Sequence, residues 1–251
     1  MPLEFAVQEA EAIGLRTPFI KEKALDYIKR QQHLTASPIA RSEASVNPGI
    51  NTSYLDPNLS VDKMVKRFEV ESREIYLARN KIVPMAGILP GLTVADIGSG
   101  TGLFTVRFAD MVGKGGWVYA VDIAPRLVQH VSHEAQRRKL KNVTAILCHE
   151  DNVNLPEASI DVAFICDTYH HFEYPKSTMA SIYKALKPGG TLLLIDFERI
   201  EGVTRPWIMD HVRAGKDIFR AEIQDAGFTM VQEIKIAELQ ENYFLKFKKP
   251  N

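Results

Sequence analysis

The feature that most constrains the fold is a regular alternation of short apolar segments with helical segments, which fills the chain from residue 92 onward. Apolar runs such as 162–165 (Val-Ala-Phe-Ile) and 191–195 (Thr-Leu-Leu-Leu-Ile) are typical of parallel strands buried on both faces. The segments between such runs have the length and periodicity of helices. The alternation therefore predicts an α/β domain with helices on both faces of a mostly parallel sheet.

The boundaries of these elements follow from the same pattern. It predicts strands at 92–97, 117–122, 143–148, 160–166 and 191–197, and helices at 103–111, 125–139, 176–186 and 207–226. Two further strands, 229–237 and 242–247, are joined by a connection too short for a helical crossover. We therefore expect these two strands to pair antiparallel.

The composition changes near residue 60, which divides the chain into an N-terminal extension (1–60) and a main domain (61–251). Helical patterns at 3–13 and 20–32 precede a stretch, 33–60, whose prolines, serines and asparagines predict a loop. This loop is interpreted either as a linker or as a segment that folds over a ligand site. Residues 61–83 have the strongest helical periodicity and predict one amphipathic helix.

Charge and cysteine content disfavour several classes of protein. The chain has 31 basic and 31 acidic residues, so its formal net charge is zero and gives no sign of a nucleic-acid partner. Two cysteines are too few for a disulfide scaffold or a multi-cysteine zinc site. No apolar run is long enough to span a membrane, and the first twelve residues do not resemble a secretory signal. We therefore expect a cytoplasmic protein.

A glycine-rich segment, 96–102 (Asp-Ile-Gly-Ser-Gly-Thr-Gly), lies between the first strand and the helix after it. Glycines at such a turn let the backbone approach a ligand closely. Asp122 ends the second strand, 24 residues after Gly98, where its carboxylate can accept hydrogen bonds from ribose hydroxyls. Leu103 stands where a dinucleotide fingerprint has its third glycine, and Asp96 suits a cationic group better than a pyrophosphate. An NAD-linked oxidoreductase is therefore disfavoured.

These motifs resemble those of the class I S-adenosylmethionine-dependent methyltransferases. The resemblance covers about residues 61–248 and includes the loop after the third strand (150–156), the segment after the fourth (164–172) and the turn into the fifth (186–190). It implies a three-layer Rossmann-like fold with seven strands in the order 3-2-1-4-5-7-6, the last strand antiparallel. It also implies that the N-terminal helical part, including the helix at 61–83, forms a lid over the cofactor.

The resemblance further implies a site for S-adenosylmethionine, whose product is S-adenosylhomocysteine. The implied cofactor contacts are Asp96, Gly98, Ser99, Gly100, Gly102, Asp122, Ile123, Asp151, Asn152 and Asp167. Among them, Asp96 would orient the amino group, Asp122 would bind the ribose, and Ile123 would pack on the adenine. Asp151, with its neighbour Asn152, would accept a hydrogen bond from the adenine amine.

Catalysis requires chiefly positioning, because the sulfonium methyl group is already a strong electrophile. A nucleophile protonated at neutral pH would also need a base. Tyr169, His170 and His171 follow the fourth strand and are candidates for proton transfer, with a purely structural role as the alternative. Adjacent histidines on a regular element point apart, so we expect no metal.

The candidate substrate contacts lie on the predicted lid helix and beyond two later strands. They are Arg73, Tyr76, Tyr174 and Glu198. Trp207 and His211 are interpreted as helix-packing residues in preference to substrate contacts.

The sequence as a whole favours an S-adenosylmethionine-dependent methyltransferase that acts on a small molecule by in-line displacement. One alternative is a methyltransferase that modifies protein side chains, which would predict an open groove. A second is a module that binds S-adenosylmethionine without catalysis. Oxygen, nitrogen, sulfur and carbon acceptors all stay open, because the pocket and not the fold selects the acceptor.

Overall fold

Seven strands form one sheet in residues 43–251, the part of the chain that the computed structural model describes. The strands are β1 (Thr93–Ile97), β2 (Trp117–Asp122), β3 (Val143–Leu147), β4 (Ile160–Cys166), β5 (Leu186–Phe197), β6 (Thr229–Ile234) and β7 (Asn242–Lys248). Their order is β3-β2-β1-β4-β5-β7-β6, and β7 runs antiparallel to both of its neighbours. The predicted fold and strand order are confirmed.

Helices cover both faces of this sheet. They are α1 (Val61–Phe68), α2 (Glu74–Met85), α3 (Thr105–Val112), α4 (Pro125–Arg137), α5 (Pro175–Ala185), α6 (Pro206–His211) and α7 (Lys216–Asp225). Successive residues of a strand face opposite sides: Phe164 of β4 packs with α2 and α3, and Ile165 packs with α5 and α7. No helix in residues 43–251 is long and apolar enough to cross a membrane.

The predicted helix 61–83 is two helices, which corrects that prediction. Residues 69–73 form a turn between α1 and α2, although the apolar periodicity runs through them. Side chains at the turn have distant partners: Arg73 pairs with Asp167, and the Glu74 carboxylate accepts hydrogen bonds from the backbone N–H groups of Gln240 and Glu241. These contacts connect the start of α2 to the sheet. They would not form if residues 61–83 were one continuous helix.

The predicted helix 207–226 is also divided, into α6 and α7. Gly215 precedes α7, and a Cβ atom there would lie 3.2 Å from the carbonyl oxygen of Arg199. Glycine has a low helix propensity and permits this close approach. The break places His211 at the end of α6, where its side chain can turn toward the carboxyl ends of the strands.

Some predictions concern residues outside the described part of the chain. These are the helices at 3–13 and 20–32, the interpretation of residues 1–12, and residues 33–42 of the predicted loop. The domain boundary at residue 60 stays a prediction.

Candidate active site

A cavity of about 650 Å³ lies at the carboxyl ends of the central strands. Its walls come from residues that follow β1 to β5, from α1 and the turn after it, and from α6. This is the position at which open α/β sheets bind ligands, and the volume is typical of a small-molecule site.

The glycine-rich loop after β1 is held against this cavity by its backbone conformation. Gly98 has φ 70°, and its N–H donates to the carbonyl oxygen of Val121 at 2.8 Å. A Cβ atom on Gly98 would lie 2.2 Å from Cγ2 of Thr168, so no other residue fits without displacing that side chain. Gly98 and Ser99 line the cavity, whereas Gly100 and Gly102 do not.

Asp122 lies at the end of β2 and faces the cavity. One carboxylate oxygen accepts the N–H of Gly100 and the other accepts the N–H of Ala124, each at 2.9 Å. A carboxylate has about four lone-pair sites, so about two are left for a ligand. Ile123 lines the cavity beside it. Burial raises the pKa of Asp122 above its usual value.

Asp96 lies deeper in the site and is almost fully buried. Its carboxylate accepts a hydrogen bond from the Thr105 hydroxyl at 2.6 Å. Burial raises the pKa of Asp96 to about 7, the Thr105 hydroxyl opposes this shift, and the charge of Asp122 adds to it. A cationic group of a ligand would therefore stabilise the ionised form of Asp96.

Asp167 follows β4 and is held between two partners. Its carboxylate pairs with the Arg73 guanidinium and accepts a hydrogen bond from the Asn242 side-chain amide at 2.7 Å. Burial raises the pKa of Asp167 to about 6, and Arg73 acts in the opposite direction. Asp167 has φ 48°, an uncommon conformation for a residue other than glycine, as is often found at functional sites.

His170 and His171 lie on a single 3₁₀ turn, Tyr169–His171, and both line the cavity. Their ring centres are 4.4 Å apart, so the expectation that their side chains point apart is wrong. The reason is that this tight turn is not a regular helix or strand. Burial and the charges of His170 and His211 lower the pKa of His171 to about 2. Burial by itself would lower the pKa of His170. The neighbouring Asp196 carboxylate outweighs this effect, so the pKa of His170 is raised overall.

The segment 45–54 packs against the same turn. The Asn51 side-chain amide donates to the carbonyl oxygen of His171 at 3.0 Å, and the Tyr54 ring meets the His171 ring edge-on at 5.3 Å. Asn51 and Tyr54 both line the cavity. Of the two interpretations of the loop, these contacts favour a segment that folds over a ligand site.

Two predicted adenine contacts, Asp151 and Asn152, do not line the cavity. The chain after β3 makes a tight turn in which the backbone of His149 pairs with that of Asn152. The Asn152 side chain accepts the N–H of Asn154 at 2.8 Å. His149 and Glu150 line the cavity in their place.

Four predicted catalytic or substrate residues also lie outside the cavity lining: Tyr76, Tyr169, Tyr174 and Glu198. Tyr169 is fully buried in the core, where its hydroxyl donates to Glu222 at 3.0 Å. Glu198 accepts a hydrogen bond from Lys216 at 2.6 Å. The Tyr76 ring is covered by a neighbouring guanidinium. Of the predicted substrate contacts, Arg73 alone lines the cavity.

Several cavity residues were not predicted as contacts. They are Asn51, Tyr54, Arg67, Phe68, Phe172, Phe197, Arg205, Trp207, His211 and Asn242. Trp207 and His211, interpreted from the sequence as helix-packing residues, stack their rings at 5.0 Å and line the cavity together. Their four-residue spacing on a short helix is the sequence signal that could have identified the pair.

Three buried polar atoms on cavity residues have no hydrogen-bond partner within the described residues. They are Oγ of Ser99, Nδ1 of His171 and Oδ1 of Asn242. Buried polar atoms are nearly always paired, and an unpaired one calls for an explanation. All three belong to residues that line the same cavity.

Comparison with known proteins gives consistent matches. A family model described as a methyltransferase domain matches residues 88–243. A ubiquinone/menaquinone biosynthesis C-methyltransferase from Shewanella piezotolerans is 29% identical over 144 residues, which are 57% of this chain and 52% of that protein. The chain thus spans about half the length of this relative.

Solved structures share the fold. A SAM dependent methyltransferase from Aquifex aeolicus aligns with a TM-score of 0.67 and 23% identity, over 76% of this chain and 98% of that one. The [4+2]-cyclase SpnF aligns with a TM-score of 0.60 and 16% identity, over 70% of this chain and 82% of that one. At these identities the likeness establishes the fold alone.

Proposed function

Since the chain belongs to the methyltransferase-domain family, we propose that it transfers the methyl group of S-adenosylmethionine to a small molecule held in the cavity. The predicted family, class I S-adenosylmethionine-dependent methyltransferases, is confirmed. The observation that carries the proposal is the buried Asp122 carboxylate, hydrogen-bonded to the glycine-rich loop and still able to accept from a ligand. The name of the Shewanella relative supports a small-molecule acceptor.

The residues present fit the nucleoside part of S-adenosylmethionine. The free lone pairs of Asp122 suit the two ribose hydroxyls, and the apolar Ile123 beside it suits a face of the adenine. His149 and Glu150 lie after the neighbouring strand, where they can contact the adenine edge. We assign them this role in place of Asp151 and Asn152.

Three further residues of the cavity fit a zwitterionic amino acid. Asp96 and Asp167 provide acidic groups for an ammonium, and Arg73 provides a guanidinium for a carboxylate. When bound, S-adenosylmethionine supplies a sulfonium methyl group that is electrophilic without further activation. The chain's contribution is then to fix donor and acceptor in line and to exclude water.

The part of the cavity around the turn Tyr169–His171, here called the acceptor end, is lined by aromatic rings and imidazoles. Tyr54, Phe172, Phe197 and Trp207 surround the histidine turn, and these rings suit a flat, unsaturated acceptor. His170 and His171 stay candidates for contact with the acceptor nucleophile because both line this region. Their role in proton transfer stays a prediction.

Methyl transfer can be tested with isotopically labelled S-adenosylmethionine and mass spectrometry. The full chain is incubated with a panel of hydroxylated aromatic compounds, a matched panel of saturated compounds, and a protein mixture. We expect label in members of the aromatic panel, because the acceptor end is lined by rings. Label found in proteins alone, or in none of the three samples, would contradict the proposal.

Cofactor affinity is expected to rise with pH between about 6 and 7.5. Free Asp96 has a pKa of about 7, and a bound ammonium group lowers it, so binding below pH 7 releases a proton. The affinity for S-adenosylhomocysteine should therefore weaken by up to about tenfold per pH unit below pH 7.

Calorimetry in buffers of different ionisation enthalpy measures that proton directly. Asp96→Asn keeps the side chain's shape but cannot ionise, so it should bind more weakly at pH 7.5 and lose the pH dependence. An unchanged slope in Asp96→Asn would assign the proton to another group and overturn this role for Asp96.

A further inference from the structure

Three histidines at the acceptor end bring their ring nitrogens together. One ring nitrogen from each of His170, His171 and His211 lies within 4.8 Å of the other two. Nε2 of His171 and Nε2 of His211 are 3.3 Å apart. Two imidazole nitrogens on one tetrahedral Zn²⁺, at 2.0–2.1 Å from the ion, lie about 3.4 Å apart. An imidazole–imidazole hydrogen bond has a similar length, so the surroundings of the cluster must distinguish the two.

The first distinguishing feature is the partner of His170. Its Nδ1 lies 2.8 Å from a carboxylate oxygen of Asp196, and both side chains are almost completely buried, with exposures of 3% and 0%. Donation from Nδ1 leaves the lone pair on Nε2 free to coordinate. Histidines that bind metals almost always donate their other N–H to a carboxylate or carbonyl in this way.

The second feature is the rigidity of this arrangement. The Asp196 carboxylate also accepts the backbone N–H groups of His170 and Phe197, which fixes its orientation. On the cavity side the Trp207 ring stacks on His211 at 5.0 Å, with 19° between the ring planes. The rings are thus held in position from both the core and the cavity, as a site with defined ligand geometry requires.

The third feature is the charge of the surroundings. The imidazole rings lie beside the carboxylate of Asp196, and Asp167 precedes the same turn by two residues. A divalent cation at the imidazole nitrogens would offset this buried negative charge. Arg73 already pairs with Asp167, so the carboxylate to be offset is that of Asp196.

We propose that His170, His171 and His211 bind a divalent transition-metal ion of the Zn²⁺ class. Imidazole nitrogens suit Zn²⁺ and its first-row neighbours. All three histidines line the cavity, so the fourth coordination position faces it, where an oxygen of water or of the acceptor can bind. Binding of the acceptor at the fourth position rests on the proposed function, whereas metal binding does not. Methyl transfer in this family needs no metal, so the site is an addition to that reaction.

Metal binding is tested on the full chain, prepared without a histidine tag and stripped with a chelator. Zn²⁺ is titrated by calorimetry into one metal-free sample, and Co²⁺ is added to a separate metal-free sample whose visible spectrum is recorded. We expect one ion per chain and the intense visible absorption of four-coordinate Co²⁺. Asp196→Asn should weaken Zn²⁺ binding about 10- to 100-fold, because it removes the carboxylate that orients His170.

His211→Ala removes a ligand from the half-buried end of α6 and should weaken Zn²⁺ binding at least as much as Asp196→Asn. The matched control is His133→Ala, because His133 is exposed on α4 and lies outside the cavity lining. This control should bind like the wild type. Circular dichroism verifies that each variant is folded.

Two results would overturn the metal site. One is the absence of saturable Zn²⁺ binding by the wild type, which would leave a hydrogen-bonded histidine cluster. The other is equal binding by wild type and His211→Ala, which would place the ion elsewhere. S-adenosylhomocysteine is titrated into the same samples. Its binding and Zn²⁺ binding do not require each other, so failure of the metal site can be distinguished from failure of the proposed function.

Discussion

Gly98→Ala is expected to abolish measurable cofactor binding and to lower the free energy of unfolding by about 2–5 kcal/mol. The added Cβ would lie 2.2 Å from Cγ2 of Thr168, and the backbone at this position has φ 70°. Steric overlap and backbone strain therefore act together. The overlap can be relieved only if the Thr168 side chain or the loop moves, and both line the cavity. Urea denaturation and titration of S-adenosylhomocysteine measure the two effects.

Gly113→Ala is the matched control for backbone strain. Gly113 also has a positive φ, 62°, but a Cβ atom there would meet nothing within 4 Å. We expect a loss of about 1–3 kcal/mol in the free energy of unfolding, from strain alone, and unchanged binding. If the two variants were destabilised equally and both bound the ligand, the close packing of Gly98 on Thr168 would not matter for the site.

Asp122→Ala is expected to weaken S-adenosylhomocysteine binding by at least tenfold, or about 1.4 kcal/mol. The substitution removes the acceptors assigned to the ribose and leaves the N–H groups of Gly100 and Ala124 without their partner. Asp122→Asn keeps one acceptor oxygen and should fall between the wild type and the alanine variant.

Asp151→Ala is the control for Asp122, because Asp151 lies after the next strand but outside the cavity lining. It should leave the affinity within about twofold of the wild type. Equal losses in Asp151→Ala and Asp122→Ala would restore Asp151 as a cofactor contact and contradict the assignment of His149 and Glu150.

Local patterns predicted the strands and the antiparallel pairing of the last two, whereas the strand order was implied by the family resemblance. Each buried strand is a contiguous apolar run, and the short connection before β7 forces that strand to reverse. The break between α1 and α2 could not be predicted in this way. Its causes are the partners of Arg73 and Glu74, which lie on β4 and β7 or next to them, far away in sequence.

The site also contains some residues that local motifs predict and others whose role depends on contacts between distant segments. Gly98, Ser99 and Asp122 belong to short motifs whose position at a strand end determines their role, and the structure places all three in the cavity lining. His211 and Asn51 reach the site from segments 40 and 120 residues away from His171. No local pattern indicates such contacts, because they arise only when the chain packs.

Calorimetric titration of the wild-type chain with S-adenosylmethionine, S-adenosylhomocysteine and NAD⁺ is the most direct test of the central claim. We predict micromolar binding of the first two ligands, about −8 kcal/mol, at one site per chain, and no binding of NAD⁺. Binding of NAD⁺ with no response to either adenosyl ligand would contradict the assignment of this cavity to S-adenosylmethionine.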